Sequence, residues 1–427
     1  MILLIGLMLF LLVLGFRIAY AIGISSLLYV LIETEMSPLI ILQQISAGAD
    51  SLILLAVPFF LLAGELMNAG GITKRLVRFS LALMGSVRGG LSYVVILTNV
   101  IMAMVSGAAI ASGAAVGSTM IPAMEKEGYP KGFAGAVNAA AATIGPVIPP
   151  SVGFIIFASL SNASVGKLFI AGAIPGLIIG VFMIVICAWL AQKRNFPKGE
   201  KWSRTELWAS FKEAAWSLLM PVIILGGIIT GIVTPTEAGV LAVAYGLFVG
   251  IFIHKDIKFK DLSQLFVRAA RQTSVIMMII ACASAFGFLI SREVDSVFFS
   301  ETFAAFEGQP NLLMLVLIAI ILVLGMVMEG GSIMIILTPL LIPILNNYNI
   351  DIIHFGVVFQ LAIMIGLLTP PVGILLFVIS GAGNVPVKDI LKNIWPFYIA
   401  LFFVLLLVAF VPSVSLWLVD ALGEGLK

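Results

Sequence analysis

The sequence predicts an all-α polytopic membrane protein, an inverted-topology repeat with two re-entrant helical hairpins and two broken helices. Three observations lead there. Of 427 residues, 61% are hydrophobic and 10% charged, whereas a soluble domain is about a quarter charged. The uncharged runs are far longer than the alternating segments of about 10 residues that build a membrane barrel, so the spans are helices. Finally, "ATIGPVIPPSVG" at 142–153 is matched by "MIGLLTPPVG" at 364–373. Ile144-Gly145 and Pro149-Pro150 return as Ile365-Gly366 and Pro370-Pro371, each 221 positions later.

A helix crosses the hydrocarbon with about 20 residues at about 1.5 Å each. In the first half, spans are expected at 2–16 and 18–32, parted by Arg17. The N-terminal run lacks a basic leader region and a small-residue cleavage site, so it reads as a retained span. An amphipathic connector at 36–48 should lie in the interfacial plane, and a span follows at 51–69. Residues 89–124 carry no charge, yet "VSGAAIASGA" at 105–114 divides them. The two arms are then about 16 and 10 residues, roughly 24 and 15 Å, too short to cross alone. They form a hairpin whose tip ends inside the protein, which is allowed where the tip is buried or lines a watery cavity. A span at 132–162, broken at the proline motif, and a last span at 168–192 complete the half.

The polar segment "QKRNFPKGEKWSRTELWASFKE" at 192–213 joins the halves. The second half repeats the order: spans at 215–232 and 236–254 around Thr234-Pro235-Thr236-Glu237, a connector at 257–270 and a span at 273–291. A second hairpin at 312–345, divided by "MEGGS" at 328–332, precedes a broken span at 352–382 and a last span at 389–411. That makes ten crossings. Five per half is odd, so the second copy enters the membrane upside down, an arrangement common in secondary transporters. With both termini periplasmic, every lysine and arginine except Lys167, Arg292 and Lys427 falls on the cytoplasmic side, as the positive-inside rule requires. The first hairpin then enters from the cytoplasmic face and the second from the opposite one.

Unwinding a helix within the membrane exposes backbone groups that cost several kcal/mol each if unpaired. Something must satisfy them. Bare carbonyls and hydroxyls suit a hard monovalent cation, and exposed helix N-termini suit an anion. In the first half the candidates are Ser106 and Gly107 at the tip, Ser112, Thr143, the carbonyls from Gly145 to Pro149, and Ser151. In the second they are Glu329, Gly330, Ser332, Thr338, the carbonyls from Gly366 to Thr369, Thr369 itself and Pro370. Ser106, Ser151 and Glu329 are also the candidates for substrate contact. Any single serine or threonine in a membrane helix usually bonds back to its own turn; the pairing across the repeat raises these above that background. Glu329 has no basic residue nearby in sequence, and a carboxylate at depth costs about 2.5–3.5 kcal/mol. Glu65 is expected to reach water at a helix end, Asp50 to cap the helix after it, and His354 to face solvent.

Several stretches carry a resemblance to a known family: "VPFFLLAGELMNAGGIT" (57–73), "GSTMIPAMEKEGYP" (117–130), "TIGPVIPPS" (143–151) and "GIVTPTEAG" (231–239). Together they resemble the large membrane subunit of tripartite ATP-independent periplasmic (TRAP) transporters over essentially the whole chain. Phe16-Arg17 departs from the family pattern, which has a proline after the glycine at this point. The resemblance implies an elevator-type transporter driven by sodium ions in the bacterial inner membrane. Its partners would be a small four-helix membrane subunit, supplied as a separate polypeptide, and a periplasmic binding protein that delivers an organic acid. The moving transport domain would comprise 89–166 and 312–387. Scaffold, arms, linker and last spans would fall in 1–88, 167–213, 214–311 and 388–427. Sodium sites would lie at the first tip with the 143–151 break, and at the second tip with the 366–371 break. Sialic acid is the leading substrate on overall likeness, with a C4-dicarboxylate or another carboxylate as the alternative.

Other classes fit less well. A channel needs a continuous polar pathway, which interrupted helices alone do not supply. With two cysteines and two histidines, the chain has too few soft ligands for a structural zinc site and too few groups for an embedded hydrolase. A net charge of +2 points to no nucleic-acid partner. An inert scaffold does not explain two matched pairs of breaks.

Overall fold

A computed structural model describes residues 2–50, 53–199, 203–293, 306 and 308–422. The start of the expected 51–69 span, Lys201 and Lys427 lie outside these. The described residues are helical, with one isolated bridge between Arg88 and Lys198.

The N-terminal run forms two helices, α1 (Ile2–Val13) and α2 (Ile18–Glu33), parted where Gly15 takes a φ of 86°. Then come α3 (Leu39–Ala49), α4 (Ala56–Ala69) and α5 (Ile72–Met84), the last bent 68° from α4. Asp50 does not cap the next helix. It closes α3 instead, its amide bonded to the Ser46 and Ala47 carbonyls. Helix α5 was not expected; it carries Lys74, Arg75 and Arg78 and makes an amphipathic bar leading into the first hairpin.

That hairpin is α6 (Gly90–Ser106) and α7 (Ala109–Lys126), joined by only Gly107 and Ala108. The expected short second arm is therefore corrected to 18 residues, opposite a first arm of 17. The small residues after the tip are helix, because α7 must close on α8: a Cβ at Gly113 would lie 2.9 Å from the Ala142 Cβ. Gly107 makes the reversal possible with a φ of 61°, a conformation glycine adopts without steric cost.

The broken helix consists of α8 (Lys131–Ala142) and α9 (Val152–Ser161), and α10 (Val165–Lys193) ends the half. Helix α8 is buried almost throughout, and its alanines and glycines let neighbours approach. In lipid, where burial of apolar surface gives helices no reason to associate, this small-residue packing is what holds them.

The second half runs α11 (Arg204–Ile229), α12 (Pro235–Phe248, continued by a π-helical turn at Val249–Ile253) and α13 (Phe259–Glu293). Thr234 and Glu237 form a reciprocal cap at the start of α12. The separate connector expected at 257–270 is corrected: it is continuous with the span that follows, as one 35-residue helix. The second hairpin is α14 (Pro310–Gly325) and α15 (Gly330–Asn347); the second broken helix is α16 (Ile352–Gly366) and α17 (Ile374–Gly383). Helices α18 (Val387–Phe410) and α19 (Ser413–Leu422) close the chain. His354 is corrected from solvent-facing to buried, with Nδ1 2.9 Å from the Ser415 hydroxyl of α19. Both cysteines are buried and free.

By length and apolar composition, six helices among the described residues could cross a membrane alone, or seven with α4 and α5 taken as one bent span. Five of the six are among the ten expected crossings, and the sixth is α15, the second arm of a hairpin. The other five expected crossings are α1, α2, α4 and the two broken helices, all built from pieces of 16 residues or fewer.

The packing is reciprocal between halves. Helix α7 lies on α17 while α15 lies on α9, and α8 lies on α18 while α16 lies on α10. Such exchange is what a two-fold relation between repeats produces. Helices α10 and α18, grouped with scaffold and arms in the expected division, pack against the hairpins and broken helices. Helices α1–α4 and α11–α13 pack on one another. The two groups meet at a seam where α4 touches α6 and α9, and α13 touches α15. There a Cβ at Gly287 would lie 3.0 Å from the Pro339 Cβ.

On the face that carries the basic residues, the inter-repeat linker is strapped to the base of the first hairpin. The Gly89 amide donates to the Pro197 carbonyl at 3.1 Å, Arg88 to Asn195 at 3.0 Å, and Arg194 to Asn393 of α18 at 2.8 Å. Arg78 of α5 bridges Glu206 and Glu213 of α11 at 2.8 and 2.6 Å. The Arg78 guanidinium holds the Glu206 carboxyl below the usual carboxylate range.

Candidate functional site

Each hairpin tip meets the break of its own repeat, halfway along the broken helix. A Cβ on Gly107 would stand 2.8 Å from the Pro150 carbonyl oxygen and 3.3 Å from the Val152 nitrogen. In the second repeat the amides of Val372 and Gly373 both donate to the Met326 carbonyl, at 3.2 and 3.0 Å. Gly325 and Gly366 approach so closely that a Cβ on Gly325 would lie 2.9 Å from the Gly366 Cα. The two Pro-Pro bonds, Pro149-Pro150 and Pro370-Pro371, are both cis.

The breaks differ in what satisfies them. In the second, the Leu367 carbonyl accepts from the Leu375 amide, the Gly366 carbonyl from the Thr369 amide, and the Leu368 carbonyl from the Tyr398 hydroxyl of α18. Pro370, Pro371 and Val372 are exposed. In the first break, residues 141–152 are all buried. No described group donates to the carbonyls of Gly145, Pro146, Val147, Ile148, Pro149 or Pro150. Buried backbone groups nearly always have partners, so these six carbonyls are the break's candidate ligands for a positively polarised group.

The candidate side chains divide accordingly. The Ser106 hydroxyl, on a residue 6% exposed, has no partner. Its Cα lies 3.5 Å from where a Gly64 Cβ would stand, so the first tip rests on α4. Ser112 bonds back to the Ala108 and Ala109 carbonyls at 3.1 and 3.3 Å. Thr143 bonds to Ala140 at 2.6 Å, Thr338 to Met334 at 2.6 Å and Thr369 to Ile365 at 2.7 Å. Ser151 caps α9, accepting from the Phe154 amide at 3.3 Å. Gly145 sits beside Ser112, 3.6 Å from its hydroxyl measured from an added Cβ.

Glu329 is exposed and caps α15, accepting from the Ser332 amide at 3.2 Å. Gly330 packs against Ile363, and Ser332 is buried beside its cap. Glu65, half-buried, accepts from Gln272 of α13 at 3.2 Å and so ties two helices of one group together.

Three buried polar residues escaped the sequence reading. Asn99 of α6 donates to Val95 and to Asn138 of α8, both at 3.0 Å, and Asn138 donates to the Gly113 carbonyl of α7 at 2.8 Å. This joins the first hairpin to the broken helix. Gln360 of α16 is 2% exposed with its Oε1 unpartnered. A lone carboxamide in an otherwise apolar run was the available signal for each.

The comparisons with known proteins agree with this architecture. The family model described as "Tripartite ATP-independent periplasmic transporter, DctM component" matches residues 5–414. The chain belongs to that family. It is a TRAP transporter large permease, a bacterial inner-membrane protein and not an enzyme. It is 41% identical, over 88% of each chain, to the 2,3-diketo-L-gulonate TRAP transporter large permease protein YiaN of Escherichia coli. It is 38% identical, over 90% of each chain, to the sialic acid TRAP transporter large permease protein SiaM of Vibrio cholerae. Among solved structures, the YdaH transporter of Alcanivorax borkumensis is similar in fold, with a TM-score of 0.63 at 14% identity over 90% of this chain and 88% of that one.

Proposed function

We propose that this TRAP permease performs sodium-coupled secondary uptake of an organic acid by an elevator motion. A periplasmic binding protein delivers the substrate and a small four-helix membrane subunit completes the complex. The observation that carries the reading is the first interruption, where buried carbonyls from Gly145 to Pro150 and the Ser106 hydroxyl face no donor. Neutral oxygens in that number suit a hard monovalent cation better than a proton relay, which needs titratable groups in series. The second interruption, built on the Glu329 cap, Gly330, Ser332, Gly366, Thr369 and Pro370, is the paired site and opens to the surface. Substrate contact falls to Ser106, Ser151 and Glu329.

The moving unit in this proposal is the hairpins and broken helices, with α10 and α18 travelling alongside because they pack there. Sialic acid is the first substrate to try, and a C4-dicarboxylate the alternative.

The test is uptake into proteoliposomes containing both membrane subunits, with a panel of carboxylates and their cognate binding proteins. Uptake should follow an imposed sodium gradient, and a proton gradient should not replace it. Strong proton-driven uptake with sodium absent on both sides would overturn the assignment and turn attention to Glu329 and Glu65.

A further inference from the structure

Gln360 stands in "VVFQLAIMIG" on α16, between two fully or nearly fully buried apolar neighbours, Phe359 and Leu361. Its own residue is 2% exposed and its Oε1 has no hydrogen-bond partner. The carboxamide is directed across the repeat boundary: a Cβ on Gly153 would run into Oε1 and lie 3.2 Å from Nε2. Gly153 belongs to the first turn of α9, two residues beyond the Ser151 cap that ends the first break. A side chain of the second repeat therefore brings an unsatisfied acceptor to the edge of the interruption in the first.

The surroundings decide what such an oxygen can meet. The break offers bare carbonyls from Gly145 to Pro150, and the tip seated on it offers the unpartnered Ser106 hydroxyl. Acceptors predominate. A buried acceptor without a donor is unfavourable, and one cation can satisfy several at once where a water has only two hydrogens to give. A carboxamide oxygen is the same kind of neutral, hard donor as a backbone carbonyl. Glycine at 153 supplies the room that the carboxamide occupies.

We infer that Gln360 contributes an oxygen to the cation held at the first interruption, so that an ion site of one repeat is completed by the other. This rests on the sodium reading given above. It makes ion binding at the first break sensitive to the register of α16 against α9.

The experiment is a sodium titration of the thermal unfolding midpoint of the purified complex of both membrane subunits, with choline chloride holding ionic strength and potassium as the comparison ion. No transport is needed. Gln360→Leu, which keeps the bulk and removes the oxygen, should raise the half-saturating sodium concentration at least about tenfold. Gly153→Ala, which pushes the carboxamide aside, should move it in the same direction. Gln360→Glu, which places an anion there, should lower it, a change of sign that a packing role would not give. Gln272→Leu, in the scaffold group, should leave the curve where it was. A parent curve with sodium-specific stabilisation and unchanged curves for all three site variants would overturn the inference while leaving the sodium reading intact. A parent with no sodium-specific stabilisation would remove the sodium reading, and the inference with it. If Gln360→Leu fails to assemble, Gln360→Glu and Gly153→Ala decide.

Discussion

Ser106 and Ser112 lie six residues apart in one glycine-rich stretch, and only the fold separates their roles. The Ser112 hydroxyl is spent on its own turn, while that of Ser106 is buried without a partner. Sequence alone could not divide them, because back-bonding depends on rotamer and on which neighbour covers the side chain. The same limit hid Gln360: it has no charge to mark it, and its burial follows from packing between repeats. Replacing Ser106 removes a ligand for a charged species, an interaction of about 1.5–3 kcal/mol, and about 1.4 kcal/mol is tenfold in affinity. Ser106→Ala should therefore raise the sodium concentration for half-maximal uptake about tenfold or more. Ser112→Ala and Thr338→Ala should each shift it less than about threefold. Sodium-dependence curves in proteoliposomes give all three values.

At the level of helices, the prolines prevent the broken segments from rewinding. Proline in a helix interior costs about 3 kcal/mol, so removing a pair relieves that cost and lets carbonyls return to intrahelical bonds. The first break has six bare carbonyls and the second has several already bonded to Leu375, Thr369 and Tyr398. Pro149→Ala/Pro150→Ala should thus weaken sodium dependence more than Pro370→Ala/Pro371→Ala, with Pro58→Ala and Pro221→Ala as controls. Equal effects of the two pairs on the curve would contradict that ranking. Hairpin packing gives a second outcome: Gly113→Val places branched bulk where a Cβ already meets Ala142 and Ile379 at 2.9 Å. Overpacking of this kind costs about 1–3 kcal/mol, seen as a lowered thermal midpoint in detergent. The breaks were legible because glycine and proline interrupt a run that otherwise has only one use. Arm lengths were not, since small residues read as a loop are helix where α8 demands close approach.

For the molecule as a whole, the repeat was legible from the 221-residue spacing of two motifs. Which group the last spans pack against was not, because α10 and α18 are apolar on every side in sequence and only the fold shows them on the hairpins and broken helices. The elevator proposal makes the seam between α13 and α15 a sliding surface. Gly287→Cys with Pro339→Cys, in a Cys282→Ala background, puts two thiols near the Cβ separation of about 3.5–4.5 Å that a disulfide needs. Oxidation should stop uptake and reduction should restore it, followed by electrophoretic mobility after a protease cut and by transport. Complete crosslinking with normal transport would rule out relative motion at this seam.

The five residues between Met84 and Gly90 act as a leash. They join α5 to the first hairpin, with the linker strand at Pro197 laid across them. A chain extends by at most about 3.6 Å per residue, so the end of α5 and the start of α6 can never part by more than about 22 Å. With α5 fixed, the start of α6 stays within that radius of its end; to go beyond it α5 itself must swing, and its 68° bend from α4 at Gly70-Gly71 is the joint about which it can do so. In the elevator proposal, the travel of the first hairpin is bounded at this connection by the length of a short tether and the freedom of one glycine pair.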